Sequence, residues 1–521
     1  MKQIHSIQIL IFFILLTKIN YIYCDNVCTV WLNPESTNTT SPCGLEITTP
    51  CQNFEAAVST CGSNYDVMNL NFMYSEIPYQ ISQQSPLNTI DNNKTINLIN
   101  INQTSIEMDL SNMNTSLVNI ENDYNTSNNY QSVVNVSGFT FTNFQSGIFR
   151  FVKTFLNLTI TNCNFKNLNS TSSSSVLFYY NSNTNNNNNI YNNFLIINNS
   201  IFQNIQTGGL FLLEQINVVI DNTVFEEITS NYSPHSIMNL DRATTMKFTN
   251  SKIINCKSNT QGTKFSISIG YQTTETSLLL PQPSLVFENI TLRDNLNGDI
   301  IALSTGKSYI ISMNQITAEN NYYSTPIYFM SESAMGGGNS SALDGASIFI
   351  VNLGSQDYPF SLSINNCSFT DNNSTRYGGS IYMNSVNSIT ITNSTFNNNT
   401  VDNSYGGNQI YCSSSNVTIQ NSNIVNSGSS TNVTDNNQVA CKSSNSCSFK
   451  NSDPDFTDFC TPPTDSSNSN STDHGKSNSK PLTTGQKAGI AIGVIAFCLI
   501  TTIAIIFIVK RKRTFSYKSI Y

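Results

Sequence analysis

The amino-acid sequence predicts an all-β ectodomain, a right-handed parallel β-helix solenoid, followed by one transmembrane α-helix. A short phrase, apolar-x-Asn-x-x-apolar, recurs through roughly residues 134–430, and several of its spacings are 23 to 28 residues. Self-similarity at this period is typical of a solenoid. Alternating stretches such as Ser388–Thr392 are typical of strands with one buried face. Helical periodicity is nearly absent outside residues 53–60.

In each copy of the phrase, an asparagine separates two apolar residues that we assign to successive strands. Asparagine suits a sharp turn because it tolerates left-handed backbone dihedrals and bonds its own backbone. About a dozen coils, stacked at ~4.8 Å each, are expected to align these asparagines in a hydrogen-bonded ladder. Cys163 and Cys367 directly follow such asparagines and are expected to face inward. The copies lie at 160–165, 197–202, 220–225, 248–253, 287–292, 364–369, 391–396 and 419–424, with a degenerate copy at 311–316 around Asn314.

Both ends of the chain carry apolar segments. Residues 1–24 read as a signal peptide, with Lys2 before the apolar run Ile7–Leu16. Residues 488–509 form a charge-free, mostly apolar run, long enough as a helix to cross a bilayer. Four basic residues, 510–513, follow it and place the C-terminus in the cytoplasm. The expected localisation is the cell membrane, as a single-pass type I protein with its N-terminus outside.

The cytoplasmic tail, residues 510–521, is too short for a folded domain. Tyr517 and Ile520 fit the Y-x-x-Φ pattern that clathrin adaptors bind as an extended strand, which predicts endosomal cycling. The alternative is a tail that only stops transfer. Gly485, Gly489 and Gly493 have the spacing that lets two membrane helices approach, which predicts a homodimer, although glycine is also simply tolerated in such helices.

The cysteines divide the ectodomain. Residues 25–133 are expected to form an N-terminal cap and the first coils, residues 134–460 the β-helix repeats with a Cys-rich C-terminal cap, and residues 461–487 a Ser/Asn/Thr-rich stalk. Two groups of four cysteines predict disulfide-stapled caps, with three pairings open in each. Since His235 is the single histidine within 25–460, we expect no metal site and no cofactor. The disulfide candidates are Cys28, Cys43, Cys51, Cys61, Cys412, Cys441, Cys447 and Cys460.

Charge and sequons limit the partners. Residues 25–460 hold 30 acidic and 14 basic residues, and this acidic surface excludes nucleic acid as a natural partner. The two apolar segments exclude a cytosolic enzyme. Each N-x-S/T sequon becomes a glycosylation acceptor if it is exposed in the secretory lumen. The candidates are Asn38, Asn93, Asn102, Asn114, Asn125, Asn135, Asn157, Asn169, Asn198, Asn289, Asn339, Asn366, Asn372, Asn373, Asn393, Asn398, Asn416, Asn432 and Asn470.

A second phrase carries a family resemblance. Gly208-Gly209-Leu210, Gly378-Gly379-Ser380 and Gly406-Gly407-Asn408 accompany F-x-x-N at residues 369–372 and 396–399. Together they resemble the G-G-A-I and F-x-x-N repeats of the chlamydial polymorphic membrane proteins, which implies a β-helical surface adhesin. The third position here is Leu, Ser or Asn instead of Ala. The segment from Trp31 to Ala57 also resembles the entry cap of β-helix proteins, which implies a first strand and a short helix over the first coil.

The predicted fold also resembles that of the pectin-lyase-like enzymes, which implies a catalytic role as an alternative. Acid and base catalysis needs clustered carboxylates, but the paired-Asp, His-Gly and Arg-x-Lys signatures of that family are missing. Arg150, Arg242, Arg293 and Arg376 lack the acidic neighbours of a Ca²⁺-assisted lyase. Asp453, Asp455 and Asp458 read as a solvated juncture. We therefore assign no catalytic residue. The best carboxylate patch is Asp221, Glu226, Glu227, His235, Asp241 and Arg242.

The sequence thus favours a cell-surface glycoprotein for recognition or adhesion, with an endocytosed receptor for glycan or protein ligands as its fuller form. The first alternative is a membrane-anchored polysaccharide-active enzyme, which convergence of Asp221, Glu227 and Asp241 in one groove would support. The second is a passive coat glycoprotein.

Overall fold

The structure is a computed structural model whose chain divides into two compact units, residues 1–463 and 464–521. All described residues belong to the first unit. The structure describes residues 26–449 except 63–64, 82–93, 103, 112, 114–115, 122–130, 145–146, 153–154, 170–175, 182–192, 215, 231–234, 242–244, 259–264, 272–283, 296–300, 306–309, 322–326, 332–347, 352–360, 375–377, 385, 387, 402–408, 426–438 and 442–446.

The described residues form one helix, α1 (Phe54–Cys61), and many short strands. In chain order the first strands are β1 (Val27–Leu32), β2 (Val67–Phe72), β3 (Tyr79–Gln80), β4 (Thr95–Asn100), β5 (Ile106–Asp109), β6 (Val118–Glu121), β7 (Gln131–Ser137), β8 (Phe139–Thr142), β9 (Phe149–Val152), β10 (Phe155–Thr161), β11 (Asn164–Asn169), β12 (Val176–Asn181), β13 (Phe194–Asn198), β14 (Ile201–Thr207), β15 (Gly209–Glu214), β16 (Asn217–Asp221), β17 (Val224–Ser230), β18 (His235–Asp241), β19 (Thr245–Thr249) and β20 (Lys252–Ile254). The remainder are β21 (Lys257–Ser258), β22 (Phe265–Tyr271), β23 (Ser284–Arg293), β24 (Ile301–Thr305), β25 (Ile310–Glu319), β26 (Ile327–Ser331), β27 (Ile348–Val351), β28 (Ser361–Asn365), β29 (Ser368–Thr370), β30 (Asn373–Ser374), β31 (Ile381–Asn384), β32 (Ser388–Thr392), β33 (Thr395–Asn397), β34 (Thr400–Val401), β35 (Ile410–Ser413), β36 (Ser415–Gln420), β37 (Asn423–Val425), β38 (Val439–Cys441) and β39 (Cys447–Phe449).

Successive strands stack into three parallel faces, so the predicted parallel β-solenoid is confirmed. The first face runs through β1, β2, β4, β7, β10, β13, β16, β19, β23, β25, β28, β32, β36 and β39. The second face contains β5, β8, β11, β14, β17, β20, β29, β33 and β37, and β23 and β25 are long enough to belong to both faces. The third face has 12 strands, β6, β9, β12, β15, β18, β22, β24, β26, β27, β31, β35 and β38, in line with the expected dozen coils.

The core lies between the three faces, and alternating buried residues build much of it, although every residue of β8 and β35 is buried. In β7 every second residue is buried, and the same positions are buried in the strands paired with it. Phenylalanines stack on the second face at centroid distances of 4.9, 4.6 and 5.0 Å from Phe141 through Phe165 and Phe202 to Phe225. Parallel strands repeat every ~4.8 Å, so identical side chains meet in register and stack on one another. Because one slip of a residue would turn these rings to solvent, the register is strongly fixed.

The turn between the first and second faces confirms the role of asparagine. Asn162, Asn199 and Asn222 have φ of 54°, 50° and 46°, the left-handed region expected of them. The prediction for the degenerate copy at 311–316 is wrong about its turn residue. Gln315 (φ 56°), and not Asn314, occupies the turn, and the inward residues on either side are Met313 and Ala318.

A second left-handed residue follows the first after five positions, which the sequence did not reveal. Asparagine occupies it in most of these coils, as at Asn167 and Asn204, but an acidic residue occupies it in three, at Glu227, Asp294 and Asp371, with φ of 54° to 55°. The chain therefore bends twice within six residues on its way around each of these coils. The mixed residue types at this position hide it from a search for asparagine.

The entry cap matches the expectation of a first strand and a covering helix. Trp31 lies in β1, and α1 covers residues 54–61 where helix was expected at 53–60. Asn53 caps the helix by accepting a hydrogen bond from the Ala56 backbone N–H at 2.8 Å. Phe54 packs against Phe72 of the second coil, with ring centroids 6.2 Å apart. The helix thus closes the amino-terminal end of the core.

Disulfides staple both caps, as predicted. At the amino end, Cys28 pairs with Cys61 and Cys43 with Cys51. At the carboxyl end, Cys412 pairs with Cys447, and Cys441 is also disulfide-bonded. Cys460 lies outside the described residues.

Several predicted segments also lie outside the described residues. These are the signal peptide, the stalk at 461–487, the membrane span at 488–509 and the tail with Tyr517 and Ile520. Within the described part of the chain, no helix is both long and apolar enough to span a membrane. The transmembrane helix of the predicted fold therefore stays a prediction.

Candidate functional site

The outward side of the first face carries a groove of about 360 Å³. It crosses four neighbouring coils, those of β23, β25, β28 and β32, and the parallel pairing of these strands sets its residues side by side. Of the residues that line it, Glu288 alone is charged. The lining residues are Val286, Phe287, Glu288, Ser312, Met313, Asn314, Ser363, Asn365 and Thr392.

One edge of the groove is a chain of polar contacts at the carboxyl ends of the strands. Asn365 donates from Nδ2 to Oδ1 of Asn314 at 2.9 Å, and Thr392 donates from its hydroxyl to Oδ1 of Asn365 at 2.8 Å. Asn314 reaches Oε1 of Glu288 at 3.5 Å. These bonds hold the side chains in fixed positions one coil apart. The sequence places Asn314 and Asn365 51 residues apart, so it could not reveal that they touch.

A neighbouring outward column, the one that reaches Ser312 of the groove, begins with polar side chains in the first coils. Asn135 donates to Asn97 at 2.8 Å, and Asn97 donates to Asn69 at 2.7 Å. Asn69 in turn donates to the Thr29 hydroxyl at 3.2 Å. An outward row of hydrogen-bonded amides is therefore a recurring feature of the first face.

A second polar row is buried, and it was not predicted from the sequence. Asn295, Asn321, Asn372 and Asn399 directly follow the second left-handed residue of their coils and are 0 to 2% exposed. Nδ2 of each of the first three donates to Oδ1 of the next, at 2.9, 3.1 and 2.9 Å. Asn399 ends the row on Oε1 of Gln409 at 2.6 Å. The row includes both F-x-x-N asparagines, whereas the expected ladder was assigned to the turn asparagines three residues before each phenylalanine.

The turn asparagines make a partial ladder on the surface. Asn222 donates to Asn199 and Asn289 donates to Asn250, both at 2.8 Å. Asn250 donates instead to the carboxylate of Asp221 at 2.8 Å. The predicted ladder is thus present, but it is exposed and mixed with carboxylate oxygens.

The residue after the first turn faces inward, as expected for Cys163 and Cys367, which are both 2% exposed. In several other coils a serine or threonine occupies this position, and in two an isoleucine does, Ile290 and Ile316. The backbone N–H of Cys163 donates to Ser200 Oγ, and that of Cys367 to Ser394 Oγ, each at 3.2 Å. Burial raises the pKa of each thiol to about 11. The thiols stay protonated near neutral pH and fill space in the core, which does not favour redox chemistry.

The carboxylate patch weighed for catalysis is distributed over different faces. Asp221 ends β16 on the first face, Glu227 sits exposed at the second turn, and Asp241 ends β18 on the third face. The Thr249 hydrogen bond is the largest influence on Asp221 and helps to lower the pKa of this carboxyl. A depressed pKa is the opposite of what a general acid at neutral pH needs. Convergence of these three residues in one groove is not what the structure shows.

The two described arginines that were candidates for a lyase site, Arg150 and Arg293, both contact neighbouring side chains. Arg150 donates to Oδ1 of Asn119 at 2.9 Å and lies 5.8 Å from the Tyr179 ring centroid. Arg293 pairs with Asp294 at 3.3 Å. Arg242, Arg376, Asp453, Asp455 and Asp458 lie outside the described residues. Among those described, no group of three or more His, Cys, Asp or Glu side chains could hold a metal ion.

The sequon asparagines differ in exposure. Asn372 is 1% exposed, and its Nδ2 donates both to Asn399 and to the Ala318 carbonyl, so the folded chain has no room for a glycan there. Exposed sequon asparagines are Asn169, Asn289, Asn366, Asn393, Asn398 and Asn416. Half-buried ones are Asn38, Asn102, Asn135, Asn157, Asn198 and Asn373. Asn93, Asn114, Asn125, Asn339, Asn432 and Asn470 lie outside the described residues.

No family model matches this chain, and no curated protein matches it. Among solved structures, it is similar to the crystal structure of PfbA, a surface adhesin of Streptococcus pneumoniae, at 13% identity and a TM-score of 0.25. That similarity covers 70% of this chain and 83% of the other. A likeness this weak establishes neither a shared fold nor a shared function. The resemblances to the polymorphic membrane proteins and the pectin-lyase-like enzymes therefore stay predictions.

Proposed function

We propose that this chain is a non-catalytic recognition protein of the cell surface, and that the groove on the first face holds an extended glycan. The observation that carries the proposal is the lining of the groove. Hydroxyl and amide groups of Ser312, Ser363, Asn314 and Asn365 repeat from coil to coil, beside one carboxylate. Such groups both donate and accept hydrogen bonds, which suits a neutral polymer of hydroxyl groups.

The geometry favours a polymer over a small ligand. The coils repeat every ~4.8 Å, which is close to the length of one sugar in an extended polysaccharide. The groove is shallow and lined mainly by polar side chains, whereas pockets for small ligands are concave and mostly apolar. A chain of sugars could therefore place one residue on each coil. A protein ligand that uses the same hydroxyl and amide groups is the second form of this recognition role.

Surface display is part of the proposal. Disulfides form in oxidising compartments, and those at both caps support export of the chain. Residues 488–509 then anchor it as a type I membrane protein, and the glycine spacing at 485, 489 and 493 supports a dimer in the membrane.

The test uses the full chain displayed on cells that lack it, incubated with a panel of soluble neutral glycans. Intact polymer retained on the cells supports the proposal, and shortened polymer in the medium would identify an enzyme instead. Ser363→Tyr places a large ring in the groove and should abolish retention. Thr317→Tyr adds the same ring at an exposed position of the second face and should leave retention unchanged. If no glycan is held, the same two variants are compared for adhesion to neighbouring cells.

Endocytic uptake is tested separately through the tail. Tyr517→Ala should slow internalisation of antibody-labelled protein because adaptor recognition needs the tyrosine side chain. Tyr521→Ala removes a tyrosine outside the Y-x-x-Φ pattern and serves as the matched control. Equal uptake rates for the Tyr517 variant and the unchanged chain would remove the sorting motif from the proposal.

A further inference from the structure

Three sequon asparagines stand in one column along the edge of the groove. Asn289, Asn366 and Asn393 each occupy the first turn of their coil, with φ of 53°, 53° and 51°. All three are exposed. Each directly follows a residue that lines the groove, namely Glu288, Asn365 and Thr392. The turns of neighbouring coils lie about 5 Å apart along the solenoid.

The hydrogen bonds of these asparagines leave room for a sugar. Nδ2 of Asn289 donates to Oδ1 of Asn250 at 2.8 Å, and Nδ2 of Asn393 donates to Oδ1 of Asn365 at 3.0 Å. An amide nitrogen carries two hydrogens, so one can keep this bond while a glycan replaces the other. Asn372 differs because both of its Nδ2 hydrogens are used inside the core, at 3.0 and 2.9 Å.

We propose that Asn289, Asn366 and Asn393 carry N-linked oligosaccharides that form a wall along this edge of the groove. In the transfer, a bond forms between Nδ2 and C1 of the first sugar of a lipid-linked oligosaccharide diphosphate. The bond from C1 to the diphosphate oxygen breaks, the lipid diphosphate leaves, and Nδ2 loses one proton. The wall restricts the groove to slender, extended ligands that approach from the amino-terminal ends of its strands.

This inference deepens the proposed function by limiting the shape of its ligand. The restriction of the groove rests on that function, whereas the glycan positions rest on the turn geometry and on export alone. The two proposals can therefore be refuted separately. Unoccupied sequons would refute the glycan wall but not ligand binding in the groove, and absence of ligand binding would refute the proposed function but not the glycan wall.

The first experiment maps occupancy on the full chain purified from the surface of eukaryotic cells. Enzymatic release of N-glycans in heavy-oxygen water converts each occupied asparagine to labelled aspartate, which peptide mass spectrometry locates. The expected result is label at Asn289, Asn366 and Asn393 and none at Asn372. Label at Asn372, or absence of label at two of the three turn sites, overturns the proposal.

A set of variants tests which asparagine carries each glycan while leaving the asparagine itself unchanged. Thr291→Val, Ser368→Ala and Thr395→Val each remove the hydroxyl of one sequon, and each should cause the loss of one glycan mass. Thr317 occupies the equivalent position of the coil whose turn residue is Gln315. Thr317→Val should therefore cause no mass change.

The wall itself is measured by access to the groove. Ser363→Cys places a thiol among the lining residues, while Cys163, Cys256 and Cys367 are buried and should not react. With all three sequons removed, labelling by a polymer-linked maleimide should become faster, and labelling by iodoacetamide should keep its rate. Equal rates for the bulky reagent with and without the sequons would overturn the restriction of the groove.

Discussion

Replacement of Asn372 by leucine should destabilise the carboxyl-terminal coils by about 4 kcal/mol. The leucine fills the site but removes four hydrogen bonds, two donated by Nδ2 to Ala318 and Asn399 and two accepted by Oδ1 from Asn321. Each is worth about 1 kcal/mol net when its partner is left in a buried site. The free energy of unfolding falls because the partner atoms stay polar and buried, while the leucine side chain offers them no hydrogen bond.

The assay is urea unfolding combined with hydrogen exchange of the peptides around residues 368–372 and 395–399. Exchange is needed because stacked repeats need not unfold in one step. Ile205 occupies the equivalent position of an amino-terminal coil, where Leu168 and Ile228 are its apolar neighbours. Ile205→Leu should therefore cost less than about 1.5 kcal/mol.

A combined variant tests the cause of the effect. Changing Asn295, Asn321, Asn372 and Asn399 together to leucine removes donors and acceptors in pairs, so its cost should fall far below four times that of the single change. A single Asn372→Leu change within about 0.5 kcal/mol of the unchanged chain would refute the reasoning, and so would strict additivity of the four changes.

Three more predictions follow from the described contacts. Asn222→Ala should lower the free energy of unfolding by about 1–2 kcal/mol, because alanine at φ 46° is strained and makes no local side-chain hydrogen bond. Asn222→Gly should lower it much less, because glycine adopts this φ without strain. Thermal unfolding of the two variants measures the difference. The thiols of Cys163, Cys256 and Cys367 should resist iodoacetamide at pH 8 and react after unfolding. Since burial raises their pKa to between about 11 and about 12, the stability that they contribute is present below pH 9 and falls as the pH rises above 9; labelling of any thiol in the folded chain at pH 8 would contradict this. Replacement of both Cys28 and Cys61 by serine opens a loop of 33 residues and should cost the amino-terminal cap about 4 kcal/mol; faster hydrogen exchange in α1, with unchanged exchange in β32, would show that the effect is local.

Much of the fold could be predicted because its signals are local. Alternation marks the strands, and the requirement for a left-handed residue marks the first turn in every coil where asparagine fills it. The second turn escaped because Glu227, Asp294 and Asp371 share it with asparagine. Its fixed distance of five residues from the first turn is the signal that could have found it. With that distance in hand, the next residue is inward, and Asn372 and Asn399 would have been recognised as buried.

The candidate site could not be predicted in the same way. Its contacts join residues from different coils, and the coils vary in length, from 23 residues between Phe194 and Asn217 to 51 between Ile310 and Ser361. A sequence pattern gives the position of a residue within its coil but not the neighbour it meets across a long loop. Ser312 and Ser363 therefore became neighbours in the groove only once the register was known.

The carboxyl-terminal disulfide determines how the molecule carries tension. A pull on the carboxyl end of a stack of parallel strands would peel the last coil first, one backbone hydrogen bond after another. The bond between Cys412 in β35 and Cys447 in β39, 35 positions apart, closes the chain between them into a covalent loop. Force that reaches Cys447 passes through sulfur directly to Cys412, and Cys441 in the loop between them is held by a disulfide of its own. Rupture is then expected to begin in deeper coils, where the rows of stacked phenylalanines and buried asparagines resist together. Replacement of both Cys412 and Cys447 by serine should therefore lower the unfolding force in a single-molecule experiment.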